Sequence, residues 1–428
     1  MLSSLYASGR FLAIIKRDGC KAAVARLGVA VLLAGGLTVA TGGVAQAKVL
    51  HCGDVITANT KMTSDLVNCP DNGIVIGADN ITLDLNGHVI DGDGTPPLSC
   101  PPATLCDVGV DSSTGHSHVT IEGGSIRKFD LGVGVAGGSG SAAGDHIHHL
   151  MVAHTSSFGI VATDTKRIVI DHNVVRDPGI SAVLVLGSAK ALVASNLASG
   201  STESAMFLDG NSNSRIVHNR LTASEDGFAV GGSHNLVSGN VVTDSLGSIG
   251  VLDGATSTRV EFNRLSRVGD GVTVGVASGT VVEHNVVNRT GGDDRGGFGI
   301  ILDGSIRSTV KHNIVRATGP GPGIYVAHLD APTPPRNNRV IRNVTTSKNA
   351  DGILVDPDAA GTVLLRNLAD HSGDDGIDVR APGTTVTRNI AIANHDLGIS
   401  AVRGVIDGGG NRAAGNGNPA QCTNIACQ

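Results

Sequence analysis

The sequence predicts an all-β chain: a single-stranded, right-handed parallel β-helix (solenoid) of roughly fourteen turns. Three observations predict it. An asparagine recurs in a fixed context, at Asn173, Asn196, Asn219, Asn240, Asn263, Asn285, Asn313, Asn343, Asn367, Asn389 and Asn411. A Gly-apolar-x-apolar unit precedes most of these asparagines, as in Gly159-Ile160-Val161-Ala162, Gly227-Phe228-Ala229-Val230, Gly299-Ile300-Ile301-Leu302 and Gly352-Ile353-Leu354-Val355. The 428 residues include 60 Gly but only 7 Phe, 2 Tyr and no Trp, so any core must be thin and filled by Val, Ile, Leu and Ala.

Each apolar segment is too short for a helix and alternates with period two, which is strand patterning. Gly, Asn, Asp and Ser separate the segments, which is turn chemistry. A unit of two or three short strands cannot bury a face alone, but it can when stacked on its neighbours. Each strand then pairs in parallel with its equivalent one turn away, about 4.8 Å off, giving a rod on the order of 65 Å long. The right hand is that of parallel crossovers. The asparagines read as structure: at a sharp turn Asn tolerates unusual backbone angles and bonds nearby backbone groups, and stacked amides can bond one another along the axis.

In chain order, residues 1–47 read as a secretory leader. Arg10, Lys16, Arg17, Lys21 and Arg26 precede an apolar run from Leu27 to Val44, and Ala45-Gln46-Ala47 supplies a small-residue cleavage site after Ala47. The expectation is a secreted, extracellular protein with a bacterial type of leader. Residues 48–75 are expected to form an N-terminal cap, 76–411 the β-helix, and 412–428 a C-terminal cap and tail. Ile74-Val75-Ile76, Ile81–Leu85 and Val119-Thr120-Ile121 look like strands of the first turns. Inserted loops are expected at Asp93–Cys106, near Gly291–Gly297 and at His328–Asn338. Six cysteines follow the leader in near pairs, Cys52 with Cys69, Cys100 with Cys106 and Cys422 with Cys427. An even count in an exported chain reads as disulfides, and a parallel coil favours local pairing.

Lys48–Gln428 carries 27 basic and 37 acidic residues, a net charge of −10. An acidic surface of that size excludes nucleic acid and anionic membranes as partners. No second long apolar run exists, so no membrane association is expected once the leader is removed. The expected state is a monomer.

From Cys52 to Gln428 the chain resembles the right-handed parallel β-helix proteins of the pectin-lyase-like superfamily. For an exported chain, that resemblance implies a polysaccharide or envelope glycan as partner, because exported members mostly cleave, epimerise or bind acidic polysaccharides. A non-catalytic surface or matrix protein that binds glycans through a long face is the alternative, favoured by the uniformity of the repeat. Middle positions of the main strand, Val161, Leu184, Phe207, Val251, Ile301, Tyr325 and Leu354, are apolar. They would be an outward stripe or core, according to the twist of the strand.

Three polar columns stand out. Asp226, Asp270, Asp351 and Asp375 precede the Gly; Asp209, Asp253, Asp303 and Asp356 follow the strand. Asp-Gly is a common turn pair, so most of these read as turn formers. His149, His172, His218, His284 and His312, then Arg342, Arg366 and Arg388, precede the asparagine and should point outward. His146, His148, His149 and His154 are dense, but strand alternation would send His148 and His149 to opposite faces. No metal site is expected there.

One stretch is more specific. Asn349-Ala350-Asp351-Gly352, then Gly373-Asp374-Asp375-Gly376, then Asn394-His395-Asp396 fall on successive turns. This resembles the polygalacturonase glycoside hydrolases, which carry Asn-Thr-Asp, Gly-Asp-Asp and Gly-His-Gly on successive turns. The resemblance implies that Asp351 and one of Asp374 and Asp375 activate water, that the other protonates the leaving oxygen, and that His395 supports them. Tyr325, Asp356, Asp378 and Arg380 would contact the substrate. An inverting pair keeps roughly 6.5–9.5 Å between its carboxyls, a spacing that adjacent turns allow. The chain departs from that family at Gly376, where Cys is usual, at Asn394 and Asp396, where glycines flank the His, and in lacking the Arg-x-Lys clamp after Arg403. Lyases of the fold would need calcium on acidic columns and Arg380 or Arg388 as base. Mannuronan epimerases carry Asp-Pro-His-Asp, and Asp356-Pro357-Asp358 lacks the His. No cofactor is expected, calcium being the one ion the acidic columns could hold.

Overall fold

Apolar residues of equivalent turns stack on one another. In a computed structural model describing residues 46–95, 106–137, 142–291, 297–329 and 331–428, the described residues form short parallel strands and no helix. Two compact units result, one ending at Arg215 and the other running from Ile216 to Gln428. One face stacks seven strands in the first unit and nine in the second, sixteen in all, where counting repeats gave roughly fourteen turns.

In the first unit Val110, Val133, Ile160, Val183 and Met206 form one parallel file. Ile121, Ile147, Ile170 and Val193 form another. In the second unit each turn contributes three strands. Val260, Val282, Val310, Val340, Leu364 and Val386 stack in one file. Leu265, Val287, Val315, Thr345, Ala369 and Ala391 stack in the next. Val272, Ile300, Ile324, Ile353, Ile377 and Ile399 complete the turn. All are buried, and each large aliphatic contributes on the order of 2 kcal/mol of hydrophobic stabilisation. Aliphatic side chains fill most of the interior, with Phe129 and Phe228 the largest fully buried side chains.

The asparagine column is a continuous bonded ladder in the second unit. From Asn219 through Asn389, each backbone N–H donates to the Oδ1 of the next asparagine, at 2.8–3.0 Å. The side-chain Nδ2 of Asn263 donates both to Asn285 Oδ1 at 2.9 Å and to the Val237 carbonyl at 3.0 Å. Asn173 and Asn196 make the same pair in the first unit.

One sequence expectation is corrected here. The unusual backbone angle belongs not to the asparagine but to the residue before it. His172, Ser195, His218, Phe262, His284, His312, Arg342, Arg366 and Arg388 all have φ between 52° and 57°. The left-handed residue swings the chain around the corner, and Asn, in ordinary geometry, turns its amide into the interior. The His and Arg column is exposed or half-buried, as expected.

The apolar middle positions are buried too. Ile301, Tyr325 and Leu354 alternate with the interior file of Ile300, Ile324 and Ile353, so they stand on the opposite strand face, where they pack together with Ala327 and Phe298. Val161, Leu184 and Phe207 stack in register in the first unit. Val251 does not belong to this column: it stacks with Val230 and Val274, while Gly250 takes the middle position. The strand there is one residue out of step with the sequence alignment of the repeat.

Two predicted disulfides are present, Cys52–Cys69 and Cys422–Cys427. Cys106 is disulfide-bonded, and Cys100 lies outside the described residues. So do residues 1–45 of the predicted leader and most of the Asp93–Cys106 and Gly291–Gly297 loops. Gln46–Lys48, which flank the predicted cleavage point, pair with Thr60–Met62.

Candidate functional site

In the second unit, glycines bring successive strands into backbone contact beside the acidic residues. A Cβ added at Gly352 would lie 2.6 Å from the Gly376 carbonyl oxygen, and one at Gly376 would lie 2.6 Å from that of Gly398 and 2.5 Å from Asn394 Nδ2. A cysteine at position 376 would therefore clash with the next turn, which accounts for that departure from the polygalacturonase pattern.

Immediately before these glycines stand Asp351 and Asp375. Asp351 Oδ1 accepts the backbone N–H of Asp375 at 3.1 Å, and Asp375 Oδ1 accepts that of Leu397 at 2.8 Å. The same duty falls to Asp270, whose Oδ1 accepts the N–H groups of Gly297 and Phe298. In the following column Asp253 and Asp303 accept from Val276 and Leu329. Turn formation thus explains much of both columns, as Asp-Gly chemistry predicts.

Asp351 and Asp375 differ in their company. Asp378 replaces the apolar middle residue, in register with Leu354 and Ser400. This places carboxylate oxygens of Asp351, Asp375 and Asp378 within 4.8 Å of one another, and a second group of Asp374, Asp375 and Asp396 shares the same spacing. Asp351, Asp375 and Asp378 are 5%, 9% and 8% exposed. Burial, then repulsion from Asp378, Asp374 and Asp375, pushes the Asp351 carboxyl up to about 7. Burial, reinforced by Asp378, Asp374 and Asp396, pushes Asp375 up to about 6. Arg380 Nε donates to Asp378 Oδ2 at 2.6 Å. Although burial opposes it, this pairing holds the guanidinium above its ordinary value.

The remaining sequence candidates divide. Tyr325 Oη is 2.9 Å from Asp356 Oδ1 and 3.0 Å from Oδ2, and its single proton serves that carboxylate. Burial, then the Asp356 charge, raises the phenol well above its usual value. Asp356 also accepts the His328 N–H at 2.9 Å. His328 reaches Asp358 through Nδ1, so an imidazole missing from Asp356-Pro357-Asp358 in sequence is supplied in space from the preceding turn. His395 is exposed and belongs to neither carboxylate group. Asp396, which in sequence registers only as a departure from a glycine, is the carboxylate that the sequence reading missed. Its signal is one of register, since it precedes Leu397-Gly398 as Asp374 precedes Asp375-Gly376.

Taken together, the arrangement can donate a proton near neutral pH, present an ion-paired carboxylate beside it, or surround a cation with oxygens. Three oxygens at these separations fit the 2.3–2.6 Å bonds of calcium, with Asp351, Asp375 and Asp378 as the residues that would hold it.

No curated protein matches the chain. Among solved structures, a mutant of the periplasmic alginate epimerase AlgG is similar at 14% identity, covering 73% of this chain and 77% of that one, with a TM-score of 0.41. A mutant tailspike protein of E. coli bacteriophage HK620, in complex with a pentasaccharide, is 12% identical over 87% of this chain and 74% of its own, TM-score 0.46. The A-module of the Azotobacter vinelandii mannuronan C-5 epimerase AlgE4 is 16% identical over 78% and 91%, TM-score 0.39. Identities this low carry no activity from those proteins to this one. The family described as the right handed beta helix region matches residues 108–265 and 222–344, together more than half of the sequence. With its stacked parallel strands and bonded asparagine ladder, the chain belongs to the right handed beta helix family.

Proposed function

We propose that this protein is an exported polysaccharide-cleaving enzyme, a glycoside hydrolase whose site is the acidic face around Asp351, Asp375 and Asp378. The observation that carries the proposal is the Asp351 carboxyl, pushed up to about 7 beside two neighbouring carboxylates. A general acid needs its proton at working pH, and a second carboxylate must stand close without it. Asp351 gives its proton to the glycosidic oxygen as the bond to the anomeric carbon breaks. Asp378, held by Arg380, attacks that carbon and forms a glycosyl ester, with Asp375 lining the opposite flank. Water then cleaves the ester, and Asp351 takes the proton back. Oxygens within 4.8 Å support the closer spacing of a retaining pair, about 5–5.5 Å, over the inverting spacing of 6.5–9.5 Å. Tyr325 and Asp356 would meet the neighbouring sugar. With Asp351 protonated, the carboxylates that remain favour uncharged sugar units over uronates by simple repulsion. The disulfides support an oxidising, extracellular setting.

A lyase acting on polyuronates is the second reading, favoured by the fit of the three oxygens to calcium. Bound there, calcium would neutralise a uronate carboxylate. Against it, Arg380, one of the two candidate bases, is held protonated by its bond to Asp378. The test is a panel of neutral and acidic polysaccharides assayed for new reducing ends and for absorbance of unsaturated uronates, with calcium and with a chelator. Reducing ends without unsaturation, of retained anomeric configuration, are the expected result. Unsaturated products that need calcium would replace the hydrolase by the lyase. Binding without any cleavage would replace both by a non-catalytic glycan-binding protein.

A further inference from the structure

The strand His146–Ala153 in the first unit breaks the alternation that the sequence implies. Ile147 and Leu150 are both buried, at 0% and 1% exposure. His149 takes a φ of 53°, so the two residues between them, His148 and His149, both turn outward. The expectation that they occupy opposite faces is corrected: their Nδ1 atoms stand 2.8 Å apart.

The surroundings fix the rings and the His148 Nδ1 lone pair, which accepts the His149 Nδ1–H; a bound metal would take the place of that proton. The Glu122 carboxylate lies 2.9 Å from His148 Nε2, a contact that favours hydrogen on Nε2 and leaves Nδ1 as the base. The His148 ring lies against His146, with centroids 4.0 Å apart, and His149 stacks on His172 at 5.2 Å. Asp171 bridges the flanking rings, reaching His146 Nε2 at 2.6 Å and His172 Nδ1 at 2.9 Å. His154 stands apart, within 3.8 Å of Asp177. The result is an oriented pair of imidazole nitrogens flanked by two carboxylates. A carboxylate behind an imidazole, as Glu122 stands behind His148, is the usual support of a metal-binding histidine.

We propose that His148 and His149 chelate a divalent late transition metal that prefers tetragonal coordination, Cu2+ or Ni2+. The bite of the pair decides the class. With metal–nitrogen bonds of 2.0–2.1 Å, nitrogens 2.8 Å apart subtend about 86° at the metal. That is the near-right angle of tetragonal Cu2+ and Ni2+ sites, whereas a tetrahedral zinc site would need nitrogens roughly 3.4 Å apart. Water completes the coordination, and the Glu122 and Asp171 charges offset part of that of the cation.

The test uses the full chain titrated with Cu2+ chloride in a non-coordinating buffer, followed by equilibrium dialysis and electron paramagnetic resonance. One Cu2+ per chain, with an axial signal split by two nitrogens, is expected. His148→Gln and His149→Asn should each weaken binding at least about tenfold and remove one nitrogen coupling. Asn is chosen at 149 because it tolerates the left-handed region. His172→Gln, which touches His149 only by stacking, should bind within about twofold of the parent. Far-UV circular dichroism establishes that each variant is folded. Copper held only by oxygen ligands, binding unchanged in His149→Asn, or no uptake at about 100 μM would overturn the proposal.

Discussion

The backbone N–H of Asp375 donates to the Asp351 carboxylate across one turn of the coil, at 3.1 Å. The carboxylate that is proposed as the proton donor is therefore also the fastening between two turns, and its chemistry and its structural duty can be separated by substitution.

Asp351→Asn keeps an oxygen to accept the Asp375 N–H but has no acidic proton. Cleavage should fall by about 10²–10⁴ while the chain remains folded. In the parent, activity should decline as pH rises through about 7, where Asp351 loses its proton. A pH–rate profile of both proteins checks this, and an unchanged alkaline limb in the variant would remove Asp351 from the role.

Stability should depend on pH in the same window. The Asp351 and Asp375 carboxyls lie near 7 and 6 in the folded chain, against an ordinary value of 3.8. Between pH 4 and 7 the folded state thus holds more protons than the unfolded state, so stability falls as pH rises. Their contribution is complete below about pH 4 and gone above about pH 7, with Asp351 accounting for on the order of 4 kcal/mol at most. Urea unfolding at pH 5 and pH 8 should show the loss in the parent and a smaller loss in Asp351→Asn.

Asn263→Ala removes an acceptor that serves both the backbone N–H and the Nδ2 of Asn240, and a donor to Val237 and Asn285. Several buried polar groups lose their partner at a site of 0% exposure. The cost should be about 3–5 kcal/mol, read from urea unfolding with little change of slope.

Gly376→Ala tests the close approach at the site. Its Cβ would meet two polar atoms within 2.6 Å and Ala391 at 2.9 Å, and overpacking of this kind costs about 1–3 kcal/mol. Gly409 has a φ of 79° but nothing within 4 Å of an added Cβ, so Gly409→Ala should cost only the left-handed strain, about 1–2 kcal/mol. Both unfolding midpoints should fall, with activity lost in the first variant and kept in the second.

Much of this architecture was legible because its period is written into individual residues. An Asn recurring every 21 to 30 residues in one fixed context has few roles other than a ladder, and the ladder fixes the register. Legibility failed where backbone conformation, rather than residue type, decides direction. His149 turned outward because of one positive φ, and Val251 slipped out of its column because a glycine took its place. The carboxylate cluster was half visible. Asp351, Asp374 and Asp375 carried a motif, Asp378 entered only as a substrate contact until strand register put it in the Leu354 column, and Asp396 looked like an absence until the turns were stacked. His395 carried the motif in sequence and is not held against those acids in space.

The left-handed corner before each asparagine has a wider consequence. In the second unit that position is filled by His, Gly, Phe and Arg without disturbing the ladder beneath it, and the stacked rings of Phe262, His284 and His312 are spaced 5.0 Å apart. Chemical identity there is decoupled from folding, excluding only β-branched residues, which resist positive φ. The protein thus carries a molecular pegboard: an evenly pitched row of sites whose occupants can be exchanged, by evolution or by an engineer, to recognise a periodic polymer without redesigning the scaffold.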